Sequence, residues 1–332
     1  MTIPFVSVIC PIYNEECYIK ICVESMLNQD YPNDRLEILF VDGMSNDNTR
    51  NILSFYLEQY PFIRLLDNIH KTVPFALNIG IRASVGDVII RIDGHSVFPN
   101  NYISTLVKYL YELDAYNVGC SCITEVKNIT PKSMAIKEVL SNKFGVGNSL
   151  FRLGVSDVKE VDTVPFGCWK RDVFDKVGYF DERLTRNQDI EFNKRIKRHG
   201  GKIYLVPDIS CIYYARENFK SLFENNYANG KWNILAVYYS HNVGSLSLRH
   251  FIPLTFVLSI IVSALFSVFI PFCAYVLLLI LLVYVFFVLA MSLFLSHTKK
   301  LNCLYLFCAF AVLHISYGLG SFIGLFRFDA LK

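Results

Sequence analysis

An acid and an imidazole stand two residues apart in the stretch IIRIDGHSVF, where Asp93 and His95 follow a short, mostly apolar run. Gly94 between them would let a ligand approach the backbone, because glycine has no Cβ. A carboxylate with an imidazole can bind a divalent cation, and Mn²⁺ accepts imidazole better than Mg²⁺, which prefers oxygen. A turn stabilised by the Asp93 side chain is the alternative, and the stretch alone leaves both interpretations open.

Two further polar clusters follow apolar runs earlier in the chain. They are Pro11, Tyr13 and Glu15 after residues 6–10, and Asp42 and Asp47 after residues 38–41. Apolar residues at helical spacing separate the runs, so the pattern predicts strand–helix–strand units with right-handed crossovers. The expected fold is an open, doubly wound α/β sheet. Because such sheets bind ligands at the carboxyl ends of their strands, we expect the three clusters to form one site.

The remaining elements follow from periodicity and from helix-stop signals. Asn14 is predicted to cap the first helix, which ends before Pro32. Residues 125–165, rich in Lys, Asn, Gly and Ser, are predicted to form a mobile loop region. Beyond them the pattern predicts a helix over residues 171–177, a helix that begins near Asp189 and ends at Arg198, and a strand over residues 202–206.

The end of the chain is too apolar for a soluble domain. The whole chain is 53% hydrophobic, with a mean hydropathy of +0.35, and residues 251–326 contain no acid and no arginine. That stretch is long enough for three membrane helices of about 20 residues each, placed at about 251–270, 272–296 and 303–326. Two long spans with a re-entrant segment are the alternative.

The distribution of charge indicates how such a chain would lie in a membrane. The first residues lack the basic start of a signal peptide, so residues 1–240 are predicted to form a cytosolic domain, with an interfacial helix at 218–241. Lys299 and Lys300, between the second and third predicted spans, agree with a cytosolic loop. We therefore expect a multi-pass protein of the cell membrane in which residues 1–240 face the cytosol.

Charge and cysteine content exclude two other classes. The net charge of +3 is too small to indicate nucleic-acid binding. The ten cysteines show no zinc-ligand spacing, and in a reducing compartment they are interpreted as small buried hydrophobic residues.

Several stretches resemble, in order, the landmarks of family 2 glycosyltransferases, which bind nucleotide sugars on a GT-A fold. They are SVICPIYNEE, VDGMSNDNT, ALNIGI, GDVIIRIDGH and FGCWKRDVFDKVGYFDERLTRNQDIEF. The resemblance covers roughly residues 5–235, so it implies a Rossmann-like GT-A domain followed by a C-terminal transmembrane region. Within the family the chain is most similar to the succinoglycan-biosynthesis glucosyltransferases of the ExoA type, which share the Asp-small-His ending and the hydrophobic C-terminus.

The resemblance also implies roles for the residues that would hold the donor. Pro11, Tyr13 and Glu15 would line a uridine pocket, Asp42 would hydrogen-bond the base, and Asp47 would lie close by. Asn78, in the ALNIGI stretch, is likewise assigned to donor binding. For Asp42 and Asp47, turn capping around Gly43 is the alternative.

The family's metal motif is Asp-x-Asp at the end of this strand, and in this chain His95 replaces the second acid. Asp93 is therefore the implied direct ligand of a divalent cation, Mn²⁺ rather than Mg²⁺, that would bridge the donor's diphosphate. Direct ligation by His95 and a role facing the diphosphate both stay open.

The stretch NQDIEF matches the family's Glu-Asp catalytic motif, with Gln188 in the first position and Asp189 kept. Asp189 would be the general base at a helix N-terminus, where the helix dipole favours its charged form. Helix capping by Asp189 is the alternative, and Glu191 is the second candidate for the base.

Processive members of the family carry Gln-x-x-Arg-Trp, and the comparable stretch here is ANGKW. Its Lys231 could contact the diphosphate as a point charge, but the Gln is missing. The sequence thus favours an inverting enzyme that adds a single sugar, from a UDP-sugar, to a polyprenyl-diphosphate-linked saccharide in polysaccharide biosynthesis. A polyprenyl-phosphate sugar transferase and a non-catalytic membrane scaffold that binds nucleotide sugars are the alternatives.

Overall fold

The computed structural model describes residues 3–241, 246 and 248–326. The chain forms two compact units. The first contains Met1–Ile123 and Leu150–Tyr214, and the second contains Thr124–Ser149 and Ala215–Lys332. The units thus divide the chain at other residues than the predicted ranges of 1–240 and 251–326.

Within the described residues, nine strands form one mixed sheet in the order β3-β2-β1-β4-β8-β6-β9-β5, with β7 paired to β9. The strands are β1 (Val6–Ile12), β2 (Leu36–Asp42), β3 (Ile63–Asp67), β4 (Val88–Arg91), β5 (Ser96–Val97), β6 (Asn117–Glu125), β7 (Lys159–Glu160), β8 (Cys168–Lys170) and β9 (Ile203–Tyr214). β9 extends well beyond the strand predicted over residues 202–206.

The carboxyl ends of the parallel strands lie level with one another. Strands β1 to β4 are parallel neighbours, and Ile12 pairs with Asp42, which in turn pairs with Asp67. Since Asp93 and His95 follow β4, the polar clusters are brought to one edge of the sheet, as predicted.

The helices alternate with these strands and then continue to the end of the chain. They are α1 (Ile19–Leu27), α2 (Thr49–Gln59), α3 (Val73–Ala83), α4 (Tyr102–Glu112), α5 (Pro131–Leu140), α6 (Lys143–Val146), α7 (Leu150–Leu153), α8 (Asp172–Val177), α9 (Gln188–Arg198), α10 (Phe219–Ser240), α11 (Ile252–Ser267), α12 (Pro271–Lys299) and α13 (Cys303–Gly324).

Side chains from both faces of the sheet are buried, as a doubly wound fold requires. In β1, Val8 and Cys10 join a core with α1 and α4, whereas Ile9 joins a second core with α3 and α9. A strand covered on both faces buries side chains in both directions, and this explains the nearly continuous apolar runs of the sequence.

Two local predictions were wrong. Asn14 does not cap α1, because the backbone N–H of Asn14 donates to Ser45 Oγ at 2.9 Å and its φ is +54°, so the helix begins only after Tyr18. Residues 125–165 are not a continuous loop, because they contain α5, α6, α7 and β7. A capping box of Thr130 and Ser133 starts α5, a signal that the polar composition of the region had masked.

Helices of the second unit pack through small residues. A Cβ on Gly230 of α10 would clash with the carbonyl oxygen of Tyr317, and a Cβ on Gly320 of α13 would clash with that of Tyr227. By length and composition, α12 and α13 could cross a membrane, whereas α11 has 16 residues and is shorter than the predicted span at 251–270. The three-span arrangement stays a prediction.

Candidate active site

A cleft of about 140 Å³ lies at the carboxyl ends of β1, β3 and β4 in the first unit. Its lining is Pro11, Ile12, Tyr13, Glu15, Asn68, Lys71, Thr72, Val73, Ala76, Asp93 and His95. The sequence analysis missed the group after β3. The same rule that selected the ends of the other strands would have found Asn68 and Lys71, which follow directly on a strand of the same sheet.

The loops after β1 and β2 are joined by hydrogen bonds between backbone and side chains. The backbone N–H of Glu15 donates to Thr49 Oγ1 at 2.7 Å, and that of Glu16 donates to Asp47 Oδ2 at 3.1 Å. Burial acts to raise the pKa of Asp47, but hydrogen bonds from Thr49 and Glu16 outweigh it and hold this pKa below its usual value. Asp47 therefore stabilises the loop that carries Glu15, and a contact of Asp47 with the donor stays a prediction.

Asp42 is held inside its own turn. Its fully buried carboxylate accepts hydrogen bonds from the backbone N–H of Ser45 at 3.0 Å and from Ser45 Oγ at 2.5 Å. Arg50 Nη1 lies 3.2 Å from the same carboxylate. Asp42 is not among the residues that line the cleft, and its hydrogen bond to a base stays a prediction.

Glu15 and His95 form a pair across the cleft edge. Glu15 Oε1 lies 3.1 Å from His95 Nδ1, and the imidazole also packs edge-on against Tyr213 with ring centroids 5.4 Å apart. A carboxylate can only accept, so Nδ1 carries the proton and the lone pair of a neutral His95 is on Nε2. Metal-ligating histidines show this pattern, because their other nitrogen usually donates to a carboxylate or carbonyl.

Asp93 is paired with an arginine from its own strand. Arg91 Nε and Nη2 donate to Asp93 Oδ1 at 3.2 and 3.1 Å. Arg91 is 7% exposed, and its Nη1 has no hydrogen-bond partner within the part of the chain that the structure describes. Arg91 is the one polar residue in an otherwise apolar strand, and this signal in the sequence could have predicted its pairing with Asp93.

Asp189 belongs to the same charged cluster. It occupies the second position of α9, where its carboxylate accepts from the backbone N–H of Ile190 at 2.9 Å, and Asn187 holds the capping position. Burial raises the pKa of Asp189 most, the charge of Arg91 opposes that rise, and the charge of Asp93 adds to it. The structure therefore brings the predicted base into electrostatic range of the predicted metal ligand.

Of three other predicted residues, two are hydrogen-bonded to protein partners and the third lies in the second unit. Glu191 forms a bidentate pair with Arg195 at 2.7 and 3.0 Å. The carboxamide of Asn78 accepts from the N–H of Phe180 at 3.0 Å, and donates to the carbonyl of Phe180 and to Glu182, both at 2.9 Å. Lys231 lies on α10, in the second unit. Donor contacts of Asn78 and Lys231 stay predictions.

The side chains present fit a divalent cation that arrives with a diphosphate. Among residues 3–241, 246 and 248–326, no group of three or more His, Cys, Asp or Glu side chains could hold a metal ion. Asp93 and His95 both line the cleft and could offer one oxygen and one nitrogen ligand. Phosphate and water oxygens would have to supply the rest, as they commonly do for ions bound with nucleotides.

Comparison with known proteins gives one family. The model of the family described as "Glycosyl transferase family 2" matches residues 7–178. The succinoglycan biosynthesis protein ExoA of Rhizobium meliloti (strain 1021) is 26% identical over 227 residues, which cover 68% of this chain and 67% of that protein. A dolichyl N-acetyl-alpha-D-glucosaminyl phosphate 3-beta-D-2,3-diacetamido-2,3-dideoxy-beta-D-glucuronosyltransferase of Methanococcus voltae is 26% identical over 232 residues, 68% of this chain and 72% of that one.

Solved structures with a similar fold contain bound nucleotide sugars. The mannosyltransferase PcManGT from Pyrobaculum calidifontis, in complex with GDP-Man and Mn²⁺, has a TM-score of 0.60 at 18% identity, over 96% of this chain and 87% of that one. TarS 1–349 from S. aureus, in complex with UDP-GlcNAc, has a TM-score of 0.51 at 17% identity, over 69% of this chain and 66% of that one. At such identities the likeness shows the fold alone.

Proposed function

Since this chain belongs to glycosyl transferase family 2 and has the GT-A fold, we propose that it transfers a single sugar, with inversion, from a UDP-sugar to a lipid-linked saccharide. The observation that carries the proposal is the charged cluster of Asp93, Arg91 and Asp189, in which Asp93 lines the cleft and Asp189 lies within electrostatic range of it. A nucleotide's diphosphate requires a cation at one end of such a site, and an attacking hydroxyl requires a base at the other.

In the proposed reaction, Asp189 accepts the proton of the acceptor hydroxyl while that oxygen bonds to the anomeric carbon. The bond between the anomeric carbon and the diphosphate breaks with its electron pair leaving on the nucleotide. Burial raises the pKa of Asp189, and a higher pKa makes its carboxylate a better proton acceptor near neutral pH. Attack opposite the leaving group inverts the anomeric centre.

The cation would be held by Asp93 and, through Nε2, by His95. When bound, it would neutralise negative charge on the diphosphate. Mn²⁺ suits this mixed oxygen and nitrogen set better than Mg²⁺, and the solved mannosyltransferase with Mn²⁺ supports a divalent ion in this fold. Glu15 sets the proton position on His95, and Arg91 holds the Asp93 carboxylate through two hydrogen bonds.

For the donor, we propose that Pro11, Tyr13 and Glu15 line a pocket for the uridine in the cleft. Asp42 would hydrogen-bond the base, and Asp47 and Asn78 would contribute to donor binding nearby. Tyr13 is 45% exposed, so its ring is accessible for stacking on a base. Solved structures of this fold hold UDP-GlcNAc in one case and GDP-Man in another, so the choice of a uridine nucleotide rests on the resemblance of the sequence motifs. Lys231 stays a candidate for the diphosphate.

For the acceptor, we propose a saccharide on a polyprenyl diphosphate, used in polysaccharide biosynthesis at the cell membrane. The Methanococcus relative is named for a dolichyl N-acetylglucosaminyl phosphate substrate, which supports a polyprenyl-linked saccharide, and the Rhizobium relative is named for succinoglycan biosynthesis, which supports a role in polysaccharide synthesis. The apolar helices α12 and α13 support a multi-pass arrangement that keeps the enzyme beside a lipid substrate. In this proposal the first unit faces the cytosol, where nucleotide sugars are made.

The test is a donor screen on membranes that contain the full chain and a polyprenyl-diphosphate-linked acceptor. Nucleotide release would be measured from UDP-glucose, UDP-galactose, UDP-GlcNAc and GDP-mannose, with Mn²⁺ and with chelator. We expect release from one UDP-sugar that requires both acceptor and Mn²⁺. Release from GDP-mannose alone would overturn the choice of nucleotide, and release from none of the four would overturn the proposal.

A further inference from the structure

Arg152 has a buried guanidinium nitrogen that no polar group among the described residues contacts. It lies in α7, and its Nη1 is buried without a hydrogen bond. Within the described part of the chain, no acid or carbonyl pairs with this guanidinium, which lies over the rings of Tyr213, 5.4 Å from the centroid, and Phe151, 5.5 Å from the centroid. Buried arginine donors are normally paired, because leaving one unmatched costs much of its hydration.

The ring under Arg152 connects it to the candidate metal site. Tyr213 pairs with Ser96 in the ladder of β5 and β9, and its ring lies 5.4 Å from the His95 imidazole. The guanidinium is therefore no farther from His95 than these two ring distances together. All three residues belong to the first unit, so the placement is a property of that unit alone.

We propose that Arg152 binds a phosphate group of a substrate, next to the cation held by Asp93 and His95. This inference rests on the proposed function, and it names a further residue for the same site. The planar fork of a guanidinium matches two phosphate oxygens, and stacking on Tyr213 holds the plane in place. The phosphate is either that of the departing nucleoside diphosphate or that of the lipid-linked acceptor.

The absence of the Gln-x-x-Arg-Trp motif leaves room for another arginine to bind phosphate. The chain has no Gln-x-x-Arg-Trp sequence, and the lysine at that place, Lys231, lies on α10 in the second unit. The Arg152 guanidinium, which shares the Tyr213 ring with His95, could make the bidentate contact to phosphate that a lysine cannot make.

The experiment uses the full chain in detergent micelles, as wild type, Arg152→Gln and Arg152→Lys. Arg82→Gln is the matched control, since Arg82 also stacks on a tyrosine, 5.0 Å from the ring of Tyr179, but has an acid partner in Glu182 at 3.9 Å. Calorimetry with Mn²⁺ would give the affinities for UDP and for uridine, which has no phosphate. Thermal unfolding would give the stabilisation by undecaprenyl phosphate.

If the phosphate is the donor's, Arg152→Gln should weaken UDP by about 10- to 100-fold and leave uridine unchanged, because hydrogen bonds to charged groups are the strong ones. If it is the acceptor's, UDP affinity should stay and stabilisation by undecaprenyl phosphate should disappear. The phosphate affinity of Arg152→Lys should lie between those of the wild type and Arg152→Gln. If Arg152→Gln does not fold, Arg152→Lys provides the test.

Wild-type behaviour of Arg152→Gln towards both phosphates would overturn the inference. The proposed function would fail separately, in a wild-type protein that binds no nucleotide. A loss of both affinities in Arg82→Gln as well would show a general effect of removing a stacked arginine, and would also overturn the assignment.

Discussion

Charge at the candidate site is organised around Arg91. Its guanidinium is almost fully buried and donates twice to Asp93. The same cation is the largest influence that lowers the pKa of Asp189 against the effect of burial. Arg91 is thus the cation that both carboxylates share, and its removal would leave both without their positive neighbour, which is strongly destabilising for buried charge.

Asp189→Asn should abolish transfer and leave UDP binding nearly intact. Loss of a general base typically costs about 10²- to 10⁴-fold in rate. A base acts only when ionised, so wild-type activity should be present above the raised pKa of Asp189 and be lost as the pH falls through it. The acid limb of kcat/KM should thus lie above the usual value for aspartate, about 3.9.

The control for this prediction is Asp181→Asn, since Asp181 lies in the preceding loop and pairs with Arg183 at 2.7 Å. Turnover of Asp189→Asn within a few-fold of wild type would remove Asp189 from the role of base. Such a result would favour a phosphate acceptor, which needs no strong base.

Glu15→Leu should raise the Mn²⁺ concentration needed for UDP binding by about 10- to 100-fold, the usual effect of losing the partner of a metal-ligating histidine. Glu15→Gln should be affected less, because its carbonyl oxygen can still accept from His95 Nδ1. Mn²⁺ titration followed by electron paramagnetic resonance, with and without UDP, provides the measurement. Glu16→Gln is the neighbouring control. A loss of uridine affinity with unchanged Mn²⁺ dependence would instead place Glu15 in the uridine pocket.

At the scale of elements, the strands were predictable and the loops between them were not. Runs such as residues 38–41 are apolar throughout because β2 is buried on both faces, and that pattern is visible in the sequence. Asn14, just before α1, is held by a hydrogen bond to Ser45 Oγ, 31 positions away, and by one accepted from the backbone N–H of Asn46. The pairing of Glu15 with His95 spans 80 positions. Contacts of this kind leave no local periodicity, so single-sequence reasoning does not find them.

Asn78→Ala tests how α3 positions the segment that precedes α9. The substitution leaves the buried N–H and carbonyl of Phe180 without their partner, so we expect a loss of about 1–3 kcal/mol in unfolding free energy. Because that segment leads to Asp189, kcat should fall more than the affinity for UDP. Denaturant unfolding and calorimetry with UDP provide the two measurements, and Asn51→Ala, on the exposed face of α2, is the control. Unchanged stability with a large loss of UDP affinity would show that Asn78 contacts the donor.

At the scale of the molecule, the helices of the second unit differ in what surrounds them. Only 11% of the most apolar stretch of α12 is buried, whereas 44% of that of α13 is buried. Gly320 and Gly324 of α13 pack closely on α10, the spacing by which small residues bring membrane helices together. α12 therefore presents its apolar side chains outward along its length, as a lipid-facing helix does, and α13 is shielded by its neighbours.

The arrangement of α11 and α12 distinguishes three spans from two spans with a re-entrant segment. The 16 residues of α11 are about 24 Å long by the rise per residue, against a hydrocarbon core of about 30 Å, so residues 268–270 must complete the crossing. In the three-span arrangement, a membrane-impermeant thiol reagent should label Phe269→Cys from outside the cell. Lys300→Cys should react only from the cytosolic side, together with the exposed Cys17 of the first unit, which is the internal control. If Phe269→Cys stays unlabelled and Lys300→Cys reacts from outside, α11 is re-entrant and the chain crosses the membrane through α12 and α13 alone.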